Sequence, residues 1–203
     1  DDILVSPHFL RSMNDGLRDL ESRKDIWSLS GYSPPITIPA KYPHQAYLTR
    51  RSSSWGWATW ADRWRKGEWE RSTFEQLANS QKFRRQFSLG GLDLPVILGA
   101  YIGGEASSWA VRWCAIQSRE GGMTSYPPRS LVTNLGTDGS GTNSPISNKY
   151  NPVVSSARVD LADIPADPNP KIQTTFRRFH LSRTRFYGSI LKKAARRMVR
   201  KIK

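Results

Sequence analysis

The spacing of apolar positions changes several times along the 203-residue chain, and each change predicts an element. Residues 3–5 (ILV) read as the end of a strand. After Ser6-Pro7, the residues Phe9, Leu10, Met13, Leu17 and Leu20 fall at helical spacing, with Ser6 as N-cap and Pro7 at the first helical position. Residues 26–31 (IWSLSG) predict a short buried strand, 32–43 a proline-punctuated loop, and 46–50 (AYLTR) another strand. Five tryptophans then crowd into residues 55–69, and Trp57, Trp60 and Trp64 follow the i, i+3, i+7 pattern of a helix face turned to the core. One or two helices are expected over 72–91, closed by Gly90-Gly91. Asp93 is placed to cap an apolar helix, and a further helix carries Trp109, Trp113 and Ile116 on one side. Residues 121–143 pass from a strand into a Gly/Ser-rich loop. Residues 151–170, with four prolines, read as an irregular linker.

The most periodic segment is the last. In residues 176–203 the stripe Tyr187, Ile190, Leu191, Ala194, Ala195, Met198 and Ile202 is apolar, and Lys and Arg fill the opposite face. The expected organisation is thus a domain over 1–150, a linker over 151–175 and a basic amphipathic helix over 176–203.

Charge sharpens this division. The formal net charge is +14, yet 12 of the 31 Lys and Arg lie from Lys171 onward, where there is no Asp or Glu. Before Lys171, 19 positive charges face 17 negative ones, so the body is nearly neutral. A basic helix on a neutral body suits an anionic membrane surface. It does not suit nucleic acid, whose footprint needs a basic body as well. The single cysteine, Cys114, excludes an internal disulfide and a cysteine zinc site, and it points to a reducing, cytosolic setting. No apolar run approaches the roughly 18 residues of a membrane span. No leader is visible; the opening DDILVSP reads as the middle of something, so a preceding segment is expected.

Adjacent acids at the end of an apolar strand, Asp1 and Asp2, can hold a hard divalent cation, or can be a solvated loop pair. His8, His44 and His180 lie scattered, without metal-ligand spacing.

The ordered set DDILVSPHFL, WSLSGY, SSWGWATWADRW, GGLDLPVIL, SWAVRW and YPPRSLVTNLGTDGSGTN resembles the C-terminal part of bacterial GT-A glycosyltransferases of family 2. These are similar in turn to N-acetylglucosaminyltransferase I. The resemblance spans about residues 1–145. It implies an α/β fold, the later strands and helices of a mixed GT-A sheet. It also implies a nucleotide-sugar donor of the UDP-sugar kind, a Mn²⁺ or Mg²⁺ ion, and a glycan or lipid-linked acceptor.

Residue by residue, Asp1 and Asp2 match the last two members of an acidic triplet, and Asp2 is the implied metal ligand. Asp93 matches the catalytic base, while Leu92 stands where relatives often carry another acid; Glu105 is a reserve candidate. Trp55, Gly56 and Trp57 match a segment lining the acceptor side. Asp138, Gly139, Ser140 and Gly141 fall in a mobile loop that closes over the donor, and Asn143-Ser144 departs from the His-Cys pair common there. The expected activity is inverting transfer of a sugar (hexose or N-acetylhexosamine) by an enzyme peripheral to the inner membrane face. The alternative is a catalytically inactive remnant, or a sugar-binding module with a membrane-binding tail.

Overall fold

The computed structural model describes residues 2–137 and 148–181, and the architecture is mixed α/β. Four strands form the main sheet: β2 (Ile26–Ser30), β3 (Tyr47–Thr49), β4 (Trp57–Ala58) and β5 (Met123–Tyr126), in the order β3-β5-β2-β4. The central β2 and β5 run parallel, and the flanking β3 and β4 run antiparallel to them. All five residues of β2 are buried, as expected of a strand covered on both faces. A register shift between Ile26 and Ser28 lets Trp27 and Ser28 both serve the same side of the sheet. A separate antiparallel pair joins β1 (Ile3–Val5) to β6 (Val132–Asn134). The sequence pattern ran from a strand into a Gly/Ser-rich loop over 121–143 and marked no second strand there.

On one side of the main sheet pack α3 (Arg71–Asn79), α4 (Gln81–Phe87), α5 (Leu94–Ile102) and α6 (Trp109–Arg119), around Phe74, Phe87, Leu98, Trp113 and Ile116. Ser80 and Ser108 cap α4 and α6 through their hydroxyls. Ser28, Thr124 and Trp113 converge on this face. The Ser28 and Thr124 hydroxyls donate to Gln117 Oε1 at 3.1 and 3.0 Å, and the Trp113 indole donates to Ser28 Oγ at 2.9 Å. On the other side lies α1 (Phe9–Asp19), with Met13 and Leu20 against Ile26, Leu29 and Leu161. Ser6 does not cap α1 as expected. His8 occupies that position, and Ser6 Oγ accepts the His8 amide.

The linker is not a free tether. Residues 151–169 lack helix and strand, but Val159 and Leu161 are buried in the second core and Ser125 donates to Leu161 O at 2.7 Å. The following helix, α7, covers 170–181 and so begins six residues before its expected start. Asn169 caps it through the Lys171 and Ile172 amides, and Ile172 and Phe176 seal the sheet edge against Tyr47 and Tyr126. The rest of the basic stripe, from 182 onward, lies outside the described residues. Among the described residues, no helix is long and apolar enough to cross a membrane.

Candidate functional site

Three of the motifs singled out in the sequence meet around the β1–β6 pair. Asp2 precedes β1, and its carbonyl accepts the Leu135 amide at 2.7 Å. Asn134 Oδ1 accepts the Gly136 amide at 2.8 Å and folds the chain into a single 3-10 turn, Leu135–Thr137. This turn sets Gly136 against Asp2. A β-carbon on Gly136 would stand 2.9 Å from Asp2 Oδ2 and 3.2 Å from Asn134 Oδ1. The exposed Asp2 carboxylate therefore lies at the entrance to the glycine-rich segment. Asp1, Asp138, Gly139, Ser140 and Gly141, together with Asn143 and Ser144, fall outside the described residues.

Among the described residues, no group of three or more His, Cys, Asp or Glu could hold a metal ion. A Mg²⁺-like ion needs no such cage, since one or two carboxylates plus substrate phosphates suffice. Asp2 Oδ2 and Asn134 Oδ1 both lie against Gly136, and both are hard oxygen donors of the kind such an ion takes.

The tryptophan segment enters from the other end of β6. Gly56 has φ +54°, and its β-carbon would fall 2.8 Å from Val132 Cγ1 and 3.1 Å from Phe9 Cε2. Its carbonyl accepts the Gly31 amide. Only glycine meets both demands, positive φ and close approach. The turn sends its neighbours apart. Trp55 packs edge-on against Tyr32 at 4.7 Å and faces Tyr150 at 6.3 Å, whereas Trp57 joins Trp109 at 5.2 Å and Trp113 at 5.8 Å.

The expectation that Trp57, Trp60 and Trp64 form one buried helix face is corrected. Trp57 sits in β4, paired to β2, and α2 spans only Ala61–Trp64. Trp60 leaves for the second core, its indole donating to Leu17 O at 2.9 Å, and Trp64 remains 41% exposed.

Asp93 does not cap α5. Its backbone is helical and its side chain makes no capping hydrogen bond. The carboxylate turns inward to Arg51 instead, with Nη1 donating to Oδ1 at 2.8 Å and Nη2 to Oδ2 at 3.1 Å. Asp93 is fully buried and Arg51 nearly so. Gly91, at φ +144°, makes room for the pair, since a β-carbon there would lie 2.5 Å from Asp93 Oδ1. Burial works against the Arg51 cation, but the adjacent Asp93 carboxylate prevails and raises the guanidinium pKa above its ordinary value.

A base must come within hydrogen-bond reach of the proton that it removes. In this arrangement both Asp93 oxygens are taken by Arg51, and the residue of this turn that faces solvent is Leu92, at 44% exposure. Glu105 is exposed at the end of α5.

Cys114 is a buried thiol whose Sγ donates to Ser52 O at 3.5 Å, which helps hold the segment after Arg51. Arg51, Asn134 and Gly136 were not anticipated. The only advance signal for Arg51 was its place just after an apolar strand, and what it meets lies 42 residues away. No protein-family model matches the chain, and no curated protein matches it.

Proposed function

We propose that the chain contributes the acceptor side and the metal-ligating strand end of a GT-A, family 2-like glycosyltransferase. In this reading it transfers a sugar, with inversion, from a nucleotide-sugar donor to a hydroxyl of a glycan or lipid-linked acceptor. The observation that carries the reading is the position of Asp2 against Gly136. The implied metal ligand and the entrance to the implied donor loop are adjacent in space although about 130 residues apart in sequence. The exposure of Leu4, Val5 and Leu10 beside β1 adds support, because a strand belonging to a larger sheet presents such surface to its neighbours.

The acceptor oxygen attacks the anomeric carbon as the bond to the diphosphate breaks. The electron pair leaves with the diphosphate, and the hydroxyl proton passes to a carboxylate. Asp2 would hold a divalent ion, which when bound would supply counter-charge for the diphosphate. Trp55 and Trp57, set apart by Gly56, offer indole surface for the acceptor. The sequence from Asp138 to Gly141, outside the described residues, resembles the loop that covers the donor in that family. The basic, amphipathic sequence of 176–203 suits an anionic membrane leaflet, at about 1 kcal/mol per Lys or Arg near the surface.

One observation favours the alternative, a catalytically weak remnant that retains sugar binding. Asp93 is sealed against Arg51, and the exposed neighbouring position carries leucine. Calorimetry with uridine diphosphate, with and without Mn²⁺, tests the enzyme reading in the full-length protein. Metal-dependent nucleotide affinity is expected, and affinity indifferent to Mn²⁺ overturns it. Leu92→Asp then separates strong from weak catalysis. A gain in transfer without a change in nucleotide affinity identifies position 92 as the one whose acid is missing.

A further inference from the structure

Six of the eight tryptophans form one cluster. Trp113, 1% exposed, sits at its centre, with the rings of Trp27, Trp57, Trp64 and Trp69 between 5.3 and 6.2 Å away. Burial explains the centre but not the rim. Trp64 is 41% and Trp109 39% exposed, and Trp57 bridges them at 6.1 and 5.2 Å. The indole N–H groups behave differently as well. Those of Trp60 and Trp113 are bonded to Leu17 O and Ser28 Oγ, whereas those of Trp57, Trp64 and Trp109 donate to no described residue.

A cation flanks this rim. Arg112 lies one helical turn beyond Trp109 on α6, so the two share a face. Its guanidinium carbon lies 5.7 Å from the Trp69 ring centroid and 5.2 Å from that of Tyr101. Its Nε is buried without a hydrogen-bond partner, and it forms no ion pair with any described residue. Arg71 lies 5.7 Å from the same Tyr101 ring. A guanidinium held between rings, with no carboxylate beside it, can take one through its fork of N–H donors.

We infer that Trp57, Trp64 and Trp109 form a shelf for an acidic glycan, with pyranose C–H faces resting on the indoles and a uronate carboxylate taken by Arg112. The inference rests on the proposed function in that the shelf continues the Gly56–Trp57 acceptor segment and names the acceptor class. Exposed aromatic groups supply stacking area, and their free N–H groups meet sugar hydroxyls. The uncompensated positive charge selects for an acid.

The test is a tryptophan-fluorescence titration of the full chain with a hexuronate tetrasaccharide and with a neutral hexose tetrasaccharide, at one salt concentration. Saturable binding is expected, about tenfold tighter for the uronate, the size of effect that one charged hydrogen-bonded contact supports. Arg112→Gln should equalise the two sugars, and Arg112→Lys should keep part of the preference. Trp109→Ala should weaken both, and Trp109→Phe should retain most binding if the alanine variant folds poorly. Equal affinity for the two sugars, or indifference to Trp109→Ala, overturns the inference. So does capture of phosphatidylglycerol vesicles through Trp109 in the absence of any sugar binding. Transfer activity with an unchanged KM in Trp109→Ala removes the shelf and leaves the enzyme. Sugar binding without metal-dependent nucleotide affinity removes the enzyme and leaves the shelf.

Discussion

Arg51 and Asp93 meet across 42 residues of chain in a two-pronged ion pair, at 2.8 and 3.1 Å, closed to solvent. The pair ties the exit of β3 to the start of α5, two elements with no hydrogen-bonded strand contact between them. Removing one partner strands a buried charge, so Arg51→Met or Asp93→Leu alone should cost about 3–5 kcal/mol. The double replacement should cost clearly less than the sum of the two, as for any directly coupled pair. Urea unfolding of the four proteins checks this, and additive losses would show that the two groups do not depend on each other.

Gly56 makes a second firm expectation. Alanine there must adopt φ near +54° and displace Val132 Cγ1 from 2.8 Å. Gly56→Ala should lower stability by about 1–3 kcal/mol. It should also loosen β6 against β1. Thermal unfolding gives the first, and amide exchange at Val132 and Asn134 the second.

Phe176 tests whether α7 belongs to the folded body. Its ring is 1% exposed and lies 5.4 Å from Tyr126 and 6.4 Å from Tyr47. Phe176→Ala should destabilise the whole molecule by about 3–5 kcal/mol. A tail that merely follows the body would be replaced at no such cost. The same burial pushes the Tyr47 and Tyr126 phenols well above their ordinary pKa, so neither should titrate in the folded protein at alkaline pH that leaves it folded.

The linker has a pH-sensitive clasp. Asp163 pairs with His44 Nδ1 at 2.9 Å and accepts the Gln45 amide at 3.1 Å, and these bonds, His44 first, hold its carboxyl below the ordinary 3.8. A carboxyl depressed in the folded state stabilises above its unfolded pKa, and the effect is lost as pH falls through the folded value. Exchange at the Gln45 amide, corrected for its intrinsic rate, should therefore accelerate only below about pH 4. Acceleration that begins well above pH 4 would show that the Asp163 carboxylate is not what closes the clasp.

The regular elements were legible because their signals are local. Helical spacing found α1 and α6, short apolar runs found β2 and β3, and Gly90-Gly91 marked the end of the α3–α4 region. The tryptophan segment misled because a three-residue repeat in so short a stretch fits a helix as well as chance. Its fate was decided by the pairing of Trp57 with Ser30, which is long-range. The inward turn of Asp93 was equally hidden, since an acid ahead of an apolar helix carries the same sequence signal whether it caps or pairs. Of the candidate site, the residue types at Asp2 and Gly56 were readable. Their convergence on the two ends of β6 was not, because β6 itself is only three residues long and runs straight into a glycine-rich stretch.

The most direct test is Mn²⁺-dependent sugar transfer from a UDP-sugar by the full-length protein and by Asp2→Ala. Because Asp2 is exposed, the variant should fold with unchanged stability and lose metal-dependent transfer. Transfer that persists undiminished in Asp2→Ala, with the same dependence on Mn²⁺, would contradict the assignment on which the account stands.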